Sequence, residues 1–308
     1  MDFWTQVPQI LFDGLFLGAI YALIALGYSM VYGIIKLLNF AHGDIFMLGA
    51  FIGYTVLVGG AATLSGFGTI ALIGALLIAM LLTGLTGVLI ELVAYRRLRS
   101  APRLSVLITA VGMSFFLEYG VAQVPFWGPN PHAWPEFARM GGSKDLAFLG
   151  IKTSASQLIL MSIAVVLMVA LALYIGKTRE GRAMRAIALD QRAATLMGIN
   201  VNRTISMVFF IGSALAGAAG VLYGAFYSKV SFLMGFLLGL KAFTAAVIGG
   251  IGNLYGAMLG GLLLGVLEQF GARYLGGEWK DIFAFVFLIL FLTVRPTGIL
   301  GARVVERM

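Results

Sequence analysis

The 308-residue sequence contains no cysteine and only two histidines, His42 and His132. Without thiols it has no disulfide framework, no cysteine-based zinc site and no thiol nucleophile, and two histidines leave little for a metal cluster. Charged residues make up only 11% of the chain, whereas 60% is hydrophobic. So much apolar surface cannot be hidden in one water-soluble core, and we expect lipid to be the solvent.

Signatures of catalysis and nucleotide binding are also lacking. GKT at 176–178 ends like a P-loop, but Leu171 replaces the required first glycine. The glycines of GGIGNLYG at 249–256 have the wrong last interval for a dinucleotide fingerprint, and no Ser, His and Asp arrangement can be defended. We predict a non-enzymatic chain with no catalytic residue, no metal and no cofactor of its own. Any energy for pumping must then come from a partner or an ion gradient.

The sequence shows no sign of a domain boundary and does not begin like a cleavable signal peptide. No polar linker or shift of composition divides the chain, so we predict one transmembrane domain over residues 1–308. The first residues, MDFWTQVPQ, lack the basic region of a signal peptide, because the first cation is Lys36. We expect the first apolar stretch to remain in the mature protein.

Long apolar runs fill most of the chain, and about 20 apolar residues suffice to cross the hydrocarbon. The region 232–271 is cut by its glycines and is either two crossings or a re-entrant pair, while 282–294 is short for a full crossing. The predicted fold is an all-α polytopic membrane bundle with about seven to nine crossings. The remaining predicted spans are 10–35, 45–58, 68–90, 104–123, 157–176 and 204–227.

Glycines four residues apart recur along these spans. Small residues at that spacing let helix backbones approach closely where no hydrophobic effect drives association, so we predict a packed bundle. The pairs are Gly14/Gly18, Gly49/Gly53, Gly220/Gly224, Gly235/Gly239, Gly256/Gly260 and Gly261/Gly265.

Of the 21 Lys and Arg residues, 14 fall on one side of the predicted membrane. This asymmetry is the positive-inside bias, which assigns that side and the C-terminus to the cytoplasm. It explains the basic balance without nucleic-acid binding. On the other side, the aromatic and Pro-Gly stretch 126–155 predicts an extracytoplasmic loop resting on the bilayer. The 14 cations are Lys36, Arg96, Arg97, Arg99, Arg103, Lys177, Arg179, Arg182, Arg185, Arg192, Arg203, Arg295, Arg303 and Arg307.

The segment 177–203 is the one long stretch that is both charged and helix-prone. A three- and four-residue period predicts a short helix with a small apolar strip, and Gly198 would stop it. The segment is either a solvated hairpin whose cations set topology, or a helix that docks in a groove of a soluble partner. The periodic residues are Ala186, Asp190, Ala193, Ala194 and Met197.

Polar residues interrupt the apolar runs at two further places. Asn39, His42 and Asp44 form either a tight turn, with Asn39 or Asp44 capping a helix, or a broken helix that touches a substrate at depth. Spacing alone favours the turn. Lys241 lies in an apolar run, where a lysine costs ~2.5 to 3.5 kcal/mol at the bilayer centre. It is therefore a candidate functional residue, unless it reaches the interface from a re-entrant segment.

Several of these stretches together resemble one family, the permease subunit of branched-chain amino-acid ABC importers of the LivH type. The resemblance runs from about Gly14 to Gly301, and only 126–155 matches no motif. Order and spacing make it specific. The stretches are LLNFAHGDIFMLGAF, ELVAYRRLR, LITAVGMSFFLE, REGRAMRAIALDQRAATLMGIN, GLKAFTAAVIGGIGN with YGAMLGGLLLG, and RPTGILG.

The resemblance implies a bacterial inner-membrane protein that pairs with a second, related permease. Two cytoplasmic ATPase subunits, which bind the ATP, and a periplasmic binding protein complete the importer. It also implies that 177–203 is the coupling element seated on an ATPase. The matching positions are Gly181, Arg182, Arg185, Ala194 and Gly198, to which the helical pattern adds Asp190. The candidate pathway residues are Asn39, His42, Asp44 and Lys241.

Other functions stay open at this point. Related permeases move urea or short amides, and the sequence does not separate these cargoes from leucine, isoleucine and valine. A proton-driven secondary transporter would use Glu118, His42 and Asp44 as titrating groups, although buried acids are scarce. A scaffold or receptor would have no use for a broken apolar helix pair.

Overall fold

The structure is a computed structural model that describes residues 3–60, 68–99, 101–136, 145–148 and 151–301. Within these ranges the chain is almost entirely helical. The helices are α1 (Phe3–Ile35), α2 (His42–Gly59), α3 (Gly68–Ile90), α4 (Arg103–Gln123), α5 (Ala155–Lys177), α6 (Arg179–Leu189), α7 (Gln191–Leu196), α8 (Val201–Tyr227), α9 (Met234–Gly249), α10 (Leu254–Tyr274) and α11 (Lys280–Val294). A π-helical turn (Glu91–Tyr95) and a final turn (Arg96–Leu98) extend α3.

Seven helices of the described chain are long and apolar enough to cross a membrane, which confirms the predicted polytopic bundle. They are α1, α2, α3 with its extension, α4, α5, α8 and α10. The remaining apolar helices, α9 and α11, have 16 and 15 residues. At about 1.5 Å per residue they are a little shorter than the hydrocarbon layer is thick.

Glycines bring α1 and α10 into direct backbone contact. A Cβ placed on Gly18 would lie 2.7 Å from the Cα of Leu262, and one on Gly265 would lie 2.2 Å from the backbone nitrogen of Gly18. Gly14 and Gly261 make equally tight approaches. Larger residues would push the two helices apart, so the packing role predicted for these glycines is confirmed.

Helices α1 and α8 form the centre of the bundle. In α1 and α8, 78% of the most apolar 18-residue stretch is buried, compared with 28% of the corresponding stretch in α4 and α5. Helix α8 packs against α1, α2 and α3, with Gly212 beside Gly27 and Gly217 against Thr83. Many large apolar side chains of α3, α4 and α5 point outward, as expected where a helix meets lipid or another membrane protein.

The basic regions of the described chain gather at one end of the bundle, which we call the basic face. Arg99 donates to Oδ1 of Asn202 (2.7 Å), which joins the end of α3 to the start of α8. Lys36 and Arg185 line a common cavity there. The other end, where α8 ends and α11 begins, is the opposite face. Arg303 and Arg307 lie outside the described residues.

The chain breaks between α9 and α10, as its glycines predict. Gly250 and Gly252 have φ angles of +105° and +91°, a region that favours glycine. Asn253 then caps α10 by accepting the N–H of Gly256 (3.1 Å). The break lines the same cavity as Lys36, whereas the start of α9 shares a cleft with the start of α11 at the opposite face. Helix α9 therefore ends, and α10 begins, at the basic face.

Short strands, which the sequence analysis did not predict, lie at the opposite face. Trp134 is buried against Gly53 and Gly224, so this part of the predicted loop 126–155 is anchored on α2 and α8. Antiparallel pairs are formed by β1 (His132–Ala133) with β4 (Lys229–Val230), and by β2 (Asp145–Phe148) with β3 (Ile151–Ser154).

Candidate functional site

The segment between α1 and α2 leaves the helical path. Lys36 ends α1 with a left-handed φ of 54°. Asn39 is buried, and its Oδ1 accepts the O–H of Tyr95 from the end of α3 (2.9 Å). Nδ2 of Asn39 has no partner among the described residues. The segment is thus held inside the bundle by a neighbouring helix.

Helix α2 begins at depth. The ring of His42 lies against Gly27, so close that a Cβ there would collide with it, and Gly27 packs on Gly212 well inside α8. Asp44 is fully buried and accepts the hydroxyl of Ser114, which is near the middle of α4. The start of α2 therefore lies well inside the bundle.

The capping role considered for Asn39 or Asp44 is wrong, because Ala41 precedes α2 without any side-chain cap hydrogen bond. Instead, Nε2 of His42 and Oδ1 of Asp44 are buried without a partner in the described chain. Buried polar atoms usually have partners, and an orphaned one calls for an explanation. The chain makes a tight turn here, with the N–H of His42 donating to the carbonyl of Asn39 (3.1 Å), and these polar atoms stay unpaired inside the described bundle.

Lys241 belongs to a buried charge cluster. Its Nζ lies 2.8 Å from Oε1 of Glu268 and 2.5 Å from Oδ1 of Asp281, and the hydroxyl of Tyr21 donates to Oε2 of Glu268 (2.8 Å). Lys241 and Glu268 are each 2% exposed, so the alternative in which Lys241 reaches the interface is wrong. Lys241 is a residue predicted from the sequence but its partners are not, although Glu268 stands out in an apolar run.

The charge cluster forms one wall of a cleft of about 360 Å³ at the opposite face. The cleft is lined by α1, α8, α9, α10, α11 and the segment between α8 and α9. Its surface combines aromatic, aliphatic and charged side chains of both signs. These are Tyr21, Tyr223, Tyr227, Lys229, Ser231, Leu233, Met234, Leu237, Leu238, Lys241, Glu268, Lys280 and Asp281.

At the basic face, the segment 177–203 folds into α6 and α7, so the single helix predicted across Ala186 to Met197 is wrong. Asp190 separates the two, because its side chain accepts the backbone N–H groups of Ala193 (3.0 Å) and Arg192 (2.8 Å) and caps α7. These hydrogen bonds lower the pKa of the Asp190 carboxyl. Asp190 is thus a helix start, where the period had placed a helix interior.

The helix stop at the C-terminal end of this segment lies where it was predicted. Gly198 has a φ of +81° directly after α7, and the N–H of Ile199 returns to the carbonyl of Ala194 (3.1 Å), which confirms the helix stop. At the other end, a Cβ on Gly181 would lie 2.2 Å from the carbonyl oxygen of Ile175, so α6 packs directly on the end of α5.

A further bond fixes the angle between α5 and α6. The guanidinium of Arg185 donates to the carbonyl of Ile175, and Thr178 caps α6 by accepting the N–H of Gly181 (3.0 Å). Arg182 is exposed. Of the six predicted coupling residues, Gly181 and Ala194 therefore face the bundle, while Arg182 and Asp190 face outward.

Three large apolar side chains of α6 and α7 point away from the bundle. Leu189, Leu196 and Met197 are 89%, 88% and 82% exposed, although they lie among cations on the basic face. The predicted apolar strip contains Met197 but misses the two leucines, because their positions depend on the cap at Asp190. We call these three residues the apolar knob.

A second feature that the sequence analysis missed is the buried carboxylate of Glu91. It accepts hydrogen bonds from Arg96 (2.9 Å), from Arg99 and from the hydroxyl of Ser206 (2.8 Å). The π-helical turn brings these groups together at the end of α3. The network ties α3 to the first turns of α8, directly after the segment that carries the apolar knob.

These features define a class of protein: a multi-pass membrane bundle with polar groups in its interior. Residues 10–292 match the family model for the permease component of the branched-chain amino acid transport system, and the chain belongs to this family. It is 42% identical over 306 residues to the high-affinity branched-chain amino acid transport system permease protein LivH of Salmonella typhimurium, covering 97% of each chain. It is 44% identical over 304 residues to the permease protein BraD of Pseudomonas aeruginosa, again over 97% of each chain.

Proposed function

We propose that the chain is the permease subunit of an ATP-driven ABC importer for leucine, isoleucine and valine, in which it forms half of the translocation pathway. Family membership supports the cargo. The observation that carries the coupling is the apolar knob, because three large apolar side chains more than four-fifths exposed at a water-facing surface mark an interaction site.

The apolar knob docks in a groove of a cytoplasmic ATPase. Leu189 ends α6, and Leu196 and Met197 end α7 and follow it, all of them exposed, as are the cations Arg182 and Arg192 of the same segment, which suit an acidic rim. The close packing of Gly181 on Ile175 holds the docked element against α5. Movement of the ATPase is therefore passed to a membrane helix directly.

The membrane is the bacterial inner membrane, and the basic face lies in the cytoplasm under the positive-inside rule. The C-terminus is then cytoplasmic, and the opposite face meets a periplasmic binding protein. A second, related permease packs on the outward apolar surface of this chain, and two ATPase subunits bind the ATP. This chain binds no nucleotide, and its part is to provide the pathway.

The pathway residues are Asn39, His42 and Asp44 at the break before α2 and Lys241 in the charge cluster. A zwitterion with an apolar side chain must be solvated briefly while it crosses, and orphaned polar atoms beside apolar walls provide such a lining. Tight binding belongs to the binding protein, since a permease that also bound tightly would slow release. The two permeases re-orient about this pathway when ATP closes the ATPase pair.

The assembled importer, purified with its ATPases, tests the proposal. Leu196→Ser with Met197→Ser is expected to lose most of the copurified ATPase and of leucine uptake, because the docking surface becomes polar. Leu275→Ser, which removes an exposed leucine from the opposite face, is the matched control and should retain both. Normal ATPase capture by the double variant would contradict the docking role. Uptake of urea or acetamide, without leucine, would overturn the cargo.

A further inference from the structure

The cleft at the opposite face has the chemical composition of a site for a free amino acid. We propose that it binds the whole zwitterion of a branched-chain amino acid on its way into the pathway. The Asp281 carboxylate receives the ammonium group, Lys280 receives the carboxylate, and the side chain of α9 residue Leu237 contacts the aliphatic group. This inference rests on the proposed function and names the substrate contacts of this chain.

The size of the cleft suits such a ligand. Its volume of about 360 Å³ is at the lower end of the range for small-molecule sites, about 300 to 1,000 Å³. A free leucine fits with some water. The cleft lies at the face that receives cargo and ends inward at the buried cluster of Lys241, so it has the position of an entrance.

Five charged side chains line the cleft: the buried pair Lys241 and Glu268, and the more accessible Asp281, Lys229 and Lys280. Lys241 and Glu268 have side chains only 3% exposed and neutralise each other, and Tyr21 holds Glu268 in place. Asp281 also reaches Lys241, yet 32% of its side chain is exposed. One ammonium shared by two carboxylates leaves a surplus negative charge on the exposed one. Asp281 is therefore the point at which a second ammonium group is attracted.

A positive charge and an apolar wall line the same cleft as Asp281. Lys280 precedes it in sequence and lines the same cleft, so it can receive a carboxylate a few ångströms from the bound ammonium. Leu233, directly before α9, and Leu237, in its first turn, lie four residues apart and are 54% and 40% exposed. An α-amino acid presents its two charged groups on one carbon and its side chain on the third bond, which matches this arrangement.

Because the chain contains no cysteine, Ser231→Cys places a single near-isosteric thiol of this subunit in the cleft. The permease–ATPase complex is purified without the binding protein, which would otherwise shield the face. Alkylation of the thiol by a charged maleimide is then timed at rising leucine concentration. Leucine is expected to slow the reaction. Asn130→Cys, exposed near β1 and not part of the cleft lining, is the control and should react at an unchanged rate.

Analogues and second variants identify the contacts. 4-Methylpentanoate lacks the ammonium, and 3-methylbutylamine lacks the carboxylate. Each should need about tenfold higher concentrations than leucine for half protection of the thiol, because one charged hydrogen bond is lost. Lys280→Gln in the Ser231→Cys background should raise the half-protecting leucine concentration by about the same factor. Lys280 lies outside the buried pair of Lys241 and Glu268, so this variant leaves that pair intact.

The outcomes separate the inference from the proposed function. If a complex that takes up leucine with its binding protein shows no protection of the thiol, the cleft is not a substrate site, although the chain remains a leucine permease. Equal protection by leucine and 4-methylpentanoate would also overturn the inference. So would a thiol that reacts in the isolated chain and is silent in the complex, because the second permease would then cover the cleft. If the parental complex takes up no leucine at all, the proposed function itself fails.

Discussion

Removal of the Lys241 ammonium is the sharpest test of the buried cluster. In Lys241→Met, Glu268 stays buried with only the hydroxyl of Tyr21 as a partner, while Asp281 keeps partial access to water. Deleting one member of a buried ion pair costs about 3 to 5 kcal/mol, because the remaining charge is uncompensated. We expect Lys241→Met to destabilise the chain by that amount.

The reverse deletion should cost less. In Glu268→Gln, Lys241 keeps Asp281 at 2.5 Å and the amide oxygen can still accept from Tyr21. The loss is then about 1 to 3 kcal/mol, that of a charged hydrogen bond. In the double variant, neutral groups of similar size replace the pair, so we expect it to be more stable than Lys241→Met alone.

The free energy of unfolding, measured by SDS titration in mixed micelles, gives the double-mutant cycle directly. A coupling energy of about 1 kcal/mol or more, with the double variant above Lys241→Met, supports the cluster as described. Additive losses, or a Lys241→Met variant as stable as the parental chain, would refute the reasoning. Lys280→Met, a lysine lost from the cleft but not from the buried pair, is the matched control and should cost less than about 1 kcal/mol.

Three further predictions concern the basic face and the break before α2. Arg185→Glu loses the hydrogen bond to the end of α5, and Gly198→Leu is strained by about 1 to 2 kcal/mol at its positive φ. Both variants should uncouple ATP hydrolysis from uptake. Normal uptake with normal ATPase capture in both variants would reject the coupling role. Asp44→Asn should lower leucine uptake more than Asp13→Asn, whereas equal, small effects would favour a merely structural role. Hydrogen bonds lower the pKa of Asp190, so its cap on α7 should be complete above the ordinary Asp pKa of about 3.9 and be lost as the pH falls through the lower folded pKa. Hydrogen exchange at the N-terminus of α7 measures the cap. Protection that persists in Asp190→Ala would contradict the capping role.

Hydropathy alone predicts most of the helices, since each span must satisfy its backbone hydrogen bonds within itself in lipid. The break between α9 and α10 is equally local, because Gly250 and Gly252 adopt φ angles that other residues avoid. The helix stop at Gly198 follows for the same reason. Features that one segment decides by its own composition are therefore readable from the sequence.

Features that depend on a second segment of the chain cannot be predicted from the sequence in this way. The partners of Lys241 come from α10 and α11, and Tyr21 reaches Glu268 from α1, so no spacing within one helix reveals them. The division into α6 and α7 at Asp190 was not predicted for another reason. The three- and four-residue period continues across the cap, and periodicity alone does not indicate a change of helix axis. Two residues of the apolar knob, Leu189 and Leu196, are therefore absent from the predicted strip.

Helix α9 connects the two polar centres of the bundle. Near its start, Gly235 and Gly239 pass so close to Gly43 that a Cβ on Gly43 would lie 2.5 Å from the carbonyl oxygen of Gly235. Further along the same helix, Lys241 is paired with acids of α10 and α11. Glycine backbones that meet without interlocking side chains resist sliding less than large side chains do, whereas a buried ion pair has few alternative arrangements. A displacement of α9 would therefore alter the surroundings of Asp44, which follows Gly43, and the pairing of Lys241 in the same step.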